Sequence, residues 1–196
     1  MHLNGLLRLV AACAFFALSA LPASAQQAQQ RNAEIAPSRA DAAAGAPYEL
    51  GTFQDWSVRC IKANDAADDP CQMTQRLLSQ DGSPTAEFSV FPVPDNPRAV
   101  AAATVVTPLE TLLTRGVRLS VDAGEPRDDP FQFCNRQGCI AQMGFTQAEI
   151  DAMKSGSTAL IRIYPVAAPE TPVNLEISLS GFTAAYETMS GIPGLE

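Results

Sequence analysis

Along the chain, large apolar side chains recur at alternate positions in short runs, which is the period of a half-buried strand. In "TFQDWSVRCI" the residues Trp56, Val58 and Cys60 fall on one side, and Asp55, Ser57 and Arg59 on the other. The polar stretch Lys62 to Pro70 then turns the chain, and "CQMTQRLLS" from Cys71 reads as the partner strand, so that Cys60 and Cys71 meet across the pair. The pattern continues at Thr85–Val93, Arg98–Thr107, Gly116–Gly124, the hairpin Phe131–Phe145, Thr158–Val166 and Val173–Phe182. Seven or eight short strands punctuated by Pro, Gly, Asp and Asn predict a mainly β chain folded as a β-sandwich.

Two segments switch to a helical period. "TQAEIDAMKSG" has Thr146 at the cap, Glu149 at the capping-box position, Ile150 and Met153 on one face, and Gly156 as a stop. "TAAYETM" after Gly181 predicts a second short helix that packs Tyr186 or Met189 on a sheet.

The ends have a different character. Residues 1–25 carry Arg8, an apolar run from Leu9 to Leu21 and a small-x-small site at Ala23 to Ala25, the layout of a secretory signal peptide. This run of 13 residues falls short of the roughly 20 that a membrane-spanning helix needs, so no transmembrane anchor is expected once the signal is cleaved. Lipidation at Cys13 would leave four apolar residues after Arg8, too few for an export signal. Residues 26–50 are rich in Gln, Ala and Pro and read as a disordered linker, which leaves 51–196 as a single domain.

Cleavage after Ala25 removes the lone histidine, His2, and Cys13, leaving four cysteines and a net charge of −9 from 12 basic and 21 acidic residues. That balance argues against nucleic acid and against docking on anionic lipid. Without histidine, Ser-His-Asp and Cys-His chemistry is excluded, and no catalytic residue or cofactor is assigned. A zinc site would want shorter paired spacings or histidine partners, so no metal is expected. The acidic groups Asp65, Asp68, Asp69, Asp128 and Asp129 read as solvated loop charges beside prolines, with only a weak calcium signal.

In an exported chain four cysteines read as disulfides, and nearness in sequence with strand pairing favours Cys60 with Cys71 and Cys134 with Cys139. The alternative is a periplasmic enzyme or thiol-redox protein using paired carboxylates or the Cys134/Cys139 pair. A redox dithiol, however, usually sits at a helix N-terminus with two intervening residues, whereas "CNRQGC" has four and strands on both flanks. Asn135, Arg136 and Gln137, held between the two cysteines, are the candidate recognition loop.

"FQDWSVRC", "CQMTQ", "TPLETLLTRGVRLSVDAG", "PFQFCNRQGCIAQ" and "ISLSGFTAAYETM" occur in an order that resembles the invasion-associated locus B family of exported bacterial proteins. The resemblance implies an immunoglobulin-like β-sandwich with one or two short helices, in the periplasm or at the surface of a Gram-negative cell. It further implies a non-enzymatic module that binds an unidentified protein or envelope component, with a host-interaction role if the source is host-associated. The matching residues Trp56, Cys60, Cys71, Gly116, Asp122, Cys134, Gly138, Cys139, Gly181 and Phe182 are all assigned to structure, and the family transfers no catalytic residue.

Overall fold

The computed structural model describes residues 37–66 and 69–191. The expected signal peptide, Cys13, the first part of the expected linker and Asp68 lie outside the described residues.

Among the described residues eleven strands form two antiparallel sheets, three more strands than the alternation predicts at most. The larger sheet runs in the order β1 (Pro47–Phe53), β2 (Trp56–Ile61), β3 (Cys71–Leu78), β4 (Pro84–Pro92), β5 (Ala101–Thr107), β9 (Gly138–Phe145) and β8 (Phe131–Asn135). The smaller sheet has the order β11 (Val173–Ser178), β10 (Thr158–Ile163), β6 (Val117–Val121) and β7 (Arg127–Asp129). Their inner faces meet in one core, with Trp56, Met73, Phe88 and Val105 from the larger sheet and Leu119, Ile161 and Ile177 from the smaller one. The chain is thus a β-sandwich, and α2 (Phe182–Ser190) fills the end of the layer against β1 to β4 with Phe182, Tyr186 and Met189 buried.

One cluster of hydrogen bonds joins the layers. Trp56 Nε1 donates to the Ser178 carbonyl at 2.9 Å, and Gln75 Nε2 donates to the same oxygen at 2.9 Å. Ser178 N–H returns a bond to Gln75 Oε1 at 2.8 Å, so the side-chain amide of β3 pairs with β11 as a strand would. Around this point Trp56 packs edge-on against Phe88 and Phe182, which confirms it as a core residue and excludes ligand stacking on a fully buried ring. The β1–β2 turn closes over the same place, Asp55 accepting from Ser178 Oγ at 2.6 Å and Gln54 accepting from Ser180 Oγ. Gly181 has φ +85°, and a Cβ there would lie 2.0 Å from the Phe53 carbonyl, so only glycine lets α2 start against that turn.

α1 (Gln147–Ser155) begins with the predicted capping box, Glu149 N–H on Thr146 Oγ1 at 3.4 Å and Thr146 N–H on Glu149 Oε2 at 2.8 Å. The other oxygen of Glu149 accepts from Arg127 at 2.7 Å, and Arg127 forks onto Asp129 at 2.8 and 2.9 Å.

Three expectations change. First, residues 37–50 are not a linker in the described structure: β1 pairs with β2, and Tyr48 is buried beside Cys60. Composition hid this because the segment is held by polar tertiary contacts and not by an apolar run. Second, Asp69 is not solvated. It is fully buried, and its carboxylate accepts from Arg39 Nε at 2.6 Å, Tyr48 OH at 2.7 Å and Ala63 N–H at 2.6 Å. Third, Asp128 and Asp129 stand in strand β7, paired with Arg118 and Arg127.

The Arg39 guanidinium, aided by Tyr48 and the Ala63 amide against the cost of burial, holds the Asp69 carboxyl well below the usual carboxylate range. A carboxyl lowered in the folded state contributes stability above its unfolded value near 3.9 and loses it as pH falls toward the folded value. Asp69→Asn is therefore expected to lower the urea midpoint at pH 7, with the gap from the parent chain closing progressively below pH 4. Gln75→Leu removes two cross-layer bonds and leaves the Ser178 amide unpaired, so chemical unfolding of the oxidised domain should show a loss of about 1–3 kcal/mol.

Candidate functional site

The predicted disulfides are both present. Cys60 faces Cys71 across β2 and β3, and Cys134 faces Cys139 across β8 and β9, with Cα atoms 4.0 Å apart in each case. The first is buried in the core, at the base of the loop that carries Asp69.

The second is placed differently. β8 is an edge strand, paired on one side with β9, and its residues Gln132 to Asn135 are exposed. Asn135 pairs with Gly138, so the turn itself is two residues, Arg136 and Gln137, and not four. Asn135 Oδ1 accepts from Gln137 N–H at 2.8 Å and from Gly138 N–H at 3.3 Å, a side chain standing in for backbone pairing at the tip. Gly138 has φ +150°, and a Cβ there would lie 2.2 Å from the Thr107 carbonyl, so the hairpin lies directly on β5. The tip is thereby fixed on three sides: by the disulfide, by Asn135 and by the contact at Gly138.

Beside the tip the strand bulges between Phe131 and Phe133. The Gln132 side chain fills the gap, accepting from Gln142 N–H at 2.7 Å and donating to the Gln142 carbonyl at 3.3 Å. Bulges of this kind limit edge-to-edge aggregation while leaving the outer edge available. Phe133 is 52% exposed on this edge, and Leu109, whose carbonyl lies 3.9 Å from Cys139 Sγ, is 59% exposed. Asn135, Arg136 and Gln137 are all exposed. The structure thus brings the three candidate residues together with two exposed apolar side chains, Phe133 and Leu109, that were not among the candidates read from the sequence.

Cys134 and Cys139 lie between two strands and not at a helix N-terminus, the setting that activates a thiol. Among the described residues no three His, Cys, Asp or Glu side chains are grouped to hold a metal, and no helix is long and apolar enough to cross a membrane. The acidic residues Asp69, Asp128 and Asp129 are each committed to an arginine.

The ring closed by Cys134 and Cys139 is short, so in the chain-entropy picture it stabilises the fold by roughly 2 kcal/mol. Replacing both by serine should lower unfolding stability by about that amount, while amide exchange at residues 135–138 rises far more than in β2 and β3.

Comparison with known proteins agrees with this architecture. The family model described as invasion associated locus B (IalB) protein matches residues 56–190. An invasion protein B homologue of Brucella abortus (strain 2308) is 31% identical over 155 residues, covering 76% of this chain and 83% of that protein. A homologue from Brucella abortus biovar 1 (strain 9-941) matches to the same extent. The crystal structure of invasion associated protein B from Bartonella henselae superposes with a TM-score of 0.60 at 24% identity, over 72% of this chain and 95% of that one. Both cysteine pairs, the Trp56 strand and α2 fall inside the matched region, and the chain belongs to the invasion associated locus B family.

Proposed function

We propose that this chain is an exported, non-enzymatic binding module of a Gram-negative cell envelope, and that its stapled β8–β9 hairpin is the surface that engages a protein partner. The observation that carries this reading is the tip itself. A two-residue turn is held rigid by Cys134–Cys139 and the Asn135 side chain, flanked by exposed Phe133 and Leu109, and set beside an open strand edge. An open edge offers main-chain hydrogen bonds to an extended segment, and a rigid tip with an apolar neighbour supplies selectivity at little ordering cost.

Export is supported by the N-terminal layout and by two disulfides, which persist in oxidising compartments. The relatives from Brucella abortus carry the name invasion protein B homologue, and a role at the host interface is part of the proposal for this chain. Localisation is read as the periplasm or the cell surface.

The test is capture from envelope and host-membrane extracts by the immobilised oxidised domain. Asn135→Ala/Arg136→Ala/Gln137→Ala and, separately, Phe133→Ser should each abolish capture of a partner that the parent retains, with melting unchanged, while the distant Glu170→Ala retains it. Equal capture by the hairpin variants and the parent would refute the assignment of the tip.

A further inference from the structure

Of the four cysteines in the described residues, Cys134 alone is exposed; Cys139 is fully buried, and Cys60 and Cys71 are 1% and 5% exposed. Sheet topology is the cause. β8 ends the larger sheet, so no strand lies beyond Cys134, whereas Cys139 stands on β9 between β8 and β5. Cys60 and Cys71 line an open hollow of about 650 Å³, yet the strands that carry them, β2 and β3, are each flanked by a strand on both sides. The hairpin disulfide is therefore the one of the two that joins a cysteine at the surface to a cysteine in the interior.

Opening a disulfide requires access to one sulfur and a leaving group at the other, and it does not require either cysteine to be an activated thiol. The strand setting that argues against Cys134 and Cys139 as an attacking dithiol thus leaves their bond open to attack. The local charge favours an anionic reagent. Arg136 is the only charged residue between Asp129 and Glu149, it is exposed, and it has no carboxylate partner among the described residues. A guanidinium two residues from Cys134 attracts a thiolate and stabilises it, although the chain as a whole is negative.

We propose that Cys134 is a site of thiol exchange, at which a small anionic thiol of the glutathione class opens the hairpin disulfide while Cys60–Cys71 stays closed. The thiolate adds to Cys134 Sγ, the Cys134–Cys139 bond breaks, and Cys139 leaves with the electron pair as a thiolate that takes a proton from water. Its sulfur already lies 3.9 Å from the Leu109 carbonyl, the acceptor that the new S–H meets. The product is a mixed disulfide on Cys134. A second thiol attacks the small-molecule sulfur of that adduct and frees the Cys134 thiol, so that in sum two small thiols are oxidised to their disulfide and one protein disulfide is reduced to two thiols. The Asn135–Gly138 pair and the Asn135 side-chain bonds remain, so the tip loosens without unfolding. If the hairpin is the contact surface, the adduct also masks it; that consequence rests on the hairpin reading, whereas the exchange does not.

The test is incubation of the oxidised protein with reduced glutathione at neutral pH, trapping of free thiols with N-ethylmaleimide after graded times, and peptide mapping by mass. Glutathione should be found on Cys134 and maleimide on Cys139, with this pair opening at least about tenfold faster than Cys60–Cys71, which must wait for the core to open. Arg136→Gln, a change in the exposed turn, should slow exchange with glutathione several-fold and exchange with the cationic thiol cysteamine far less. Glutathione on Cys139, equal rates for the two pairs, or earlier opening of Cys60–Cys71 would overturn the proposal. So would a hairpin disulfide that stays closed until the domain melts, or an Arg136→Gln protein that reacts with glutathione as fast as the parent.

Discussion

The carbonyl of Ser178 is the point on which the two layers of this sandwich depend. Sheets that pack face to face are held by non-directional apolar burial, which sets a distance but not a register. Here one backbone oxygen at the end of β11 accepts from the Trp56 indole and from the Gln75 amide, and the amide above it donates back to Gln75. All three partners are buried or half-buried, where an unmade hydrogen bond is expensive, so sliding one sheet past the other is opposed by polar groups that would be stranded. The geometry then propagates: the β1–β2 turn caps the joint, Gly181 admits it, and Phe182 begins α2 against the Trp56 ring.

That joint lies toward β1, β2 and β3, at one side of the larger sheet, while β8 forms its opposite edge. The hydrogen bonds that clamp the sheets are at the Ser178 joint, away from the stapled hairpin. The two disulfides reflect the same division, one buried beneath the Asp69 loop and one at the rim. A rigid rim beside an open strand edge is the feature on which the proposed contact surface rests.

Much of this was legible in the residues, and the exceptions have physical causes. The alternation of Trp56, Val58 and Cys60 and the Thr146–Glu149 box are local signals, and local signals survive into the fold. β1 was hidden because it is held by Arg39, Tyr48 and Asp69, partners 21 to 30 residues apart in a segment of poor composition. β7 was hidden because its three residues, Arg127 to Asp129, are charged and are made a strand by β6 and by guanidinium forks. Phe133 was not singled out because alternation marks a strand and cannot say that its residues lie on an exposed edge, as those of β8 do.

The central claim is that the β8–β9 hairpin is the contact surface of a preformed, non-catalytic domain. Hydrogen–deuterium exchange of the oxidised protein, alone and bound to its captured partner, tests it most directly. The account predicts slowed exchange confined to residues 131–140 and the adjoining Leu109 turn, with β2, β3 and β11 unchanged. Protection that leaves 131–140 untouched, or that spreads through the core as in a domain that folds on binding, would contradict it.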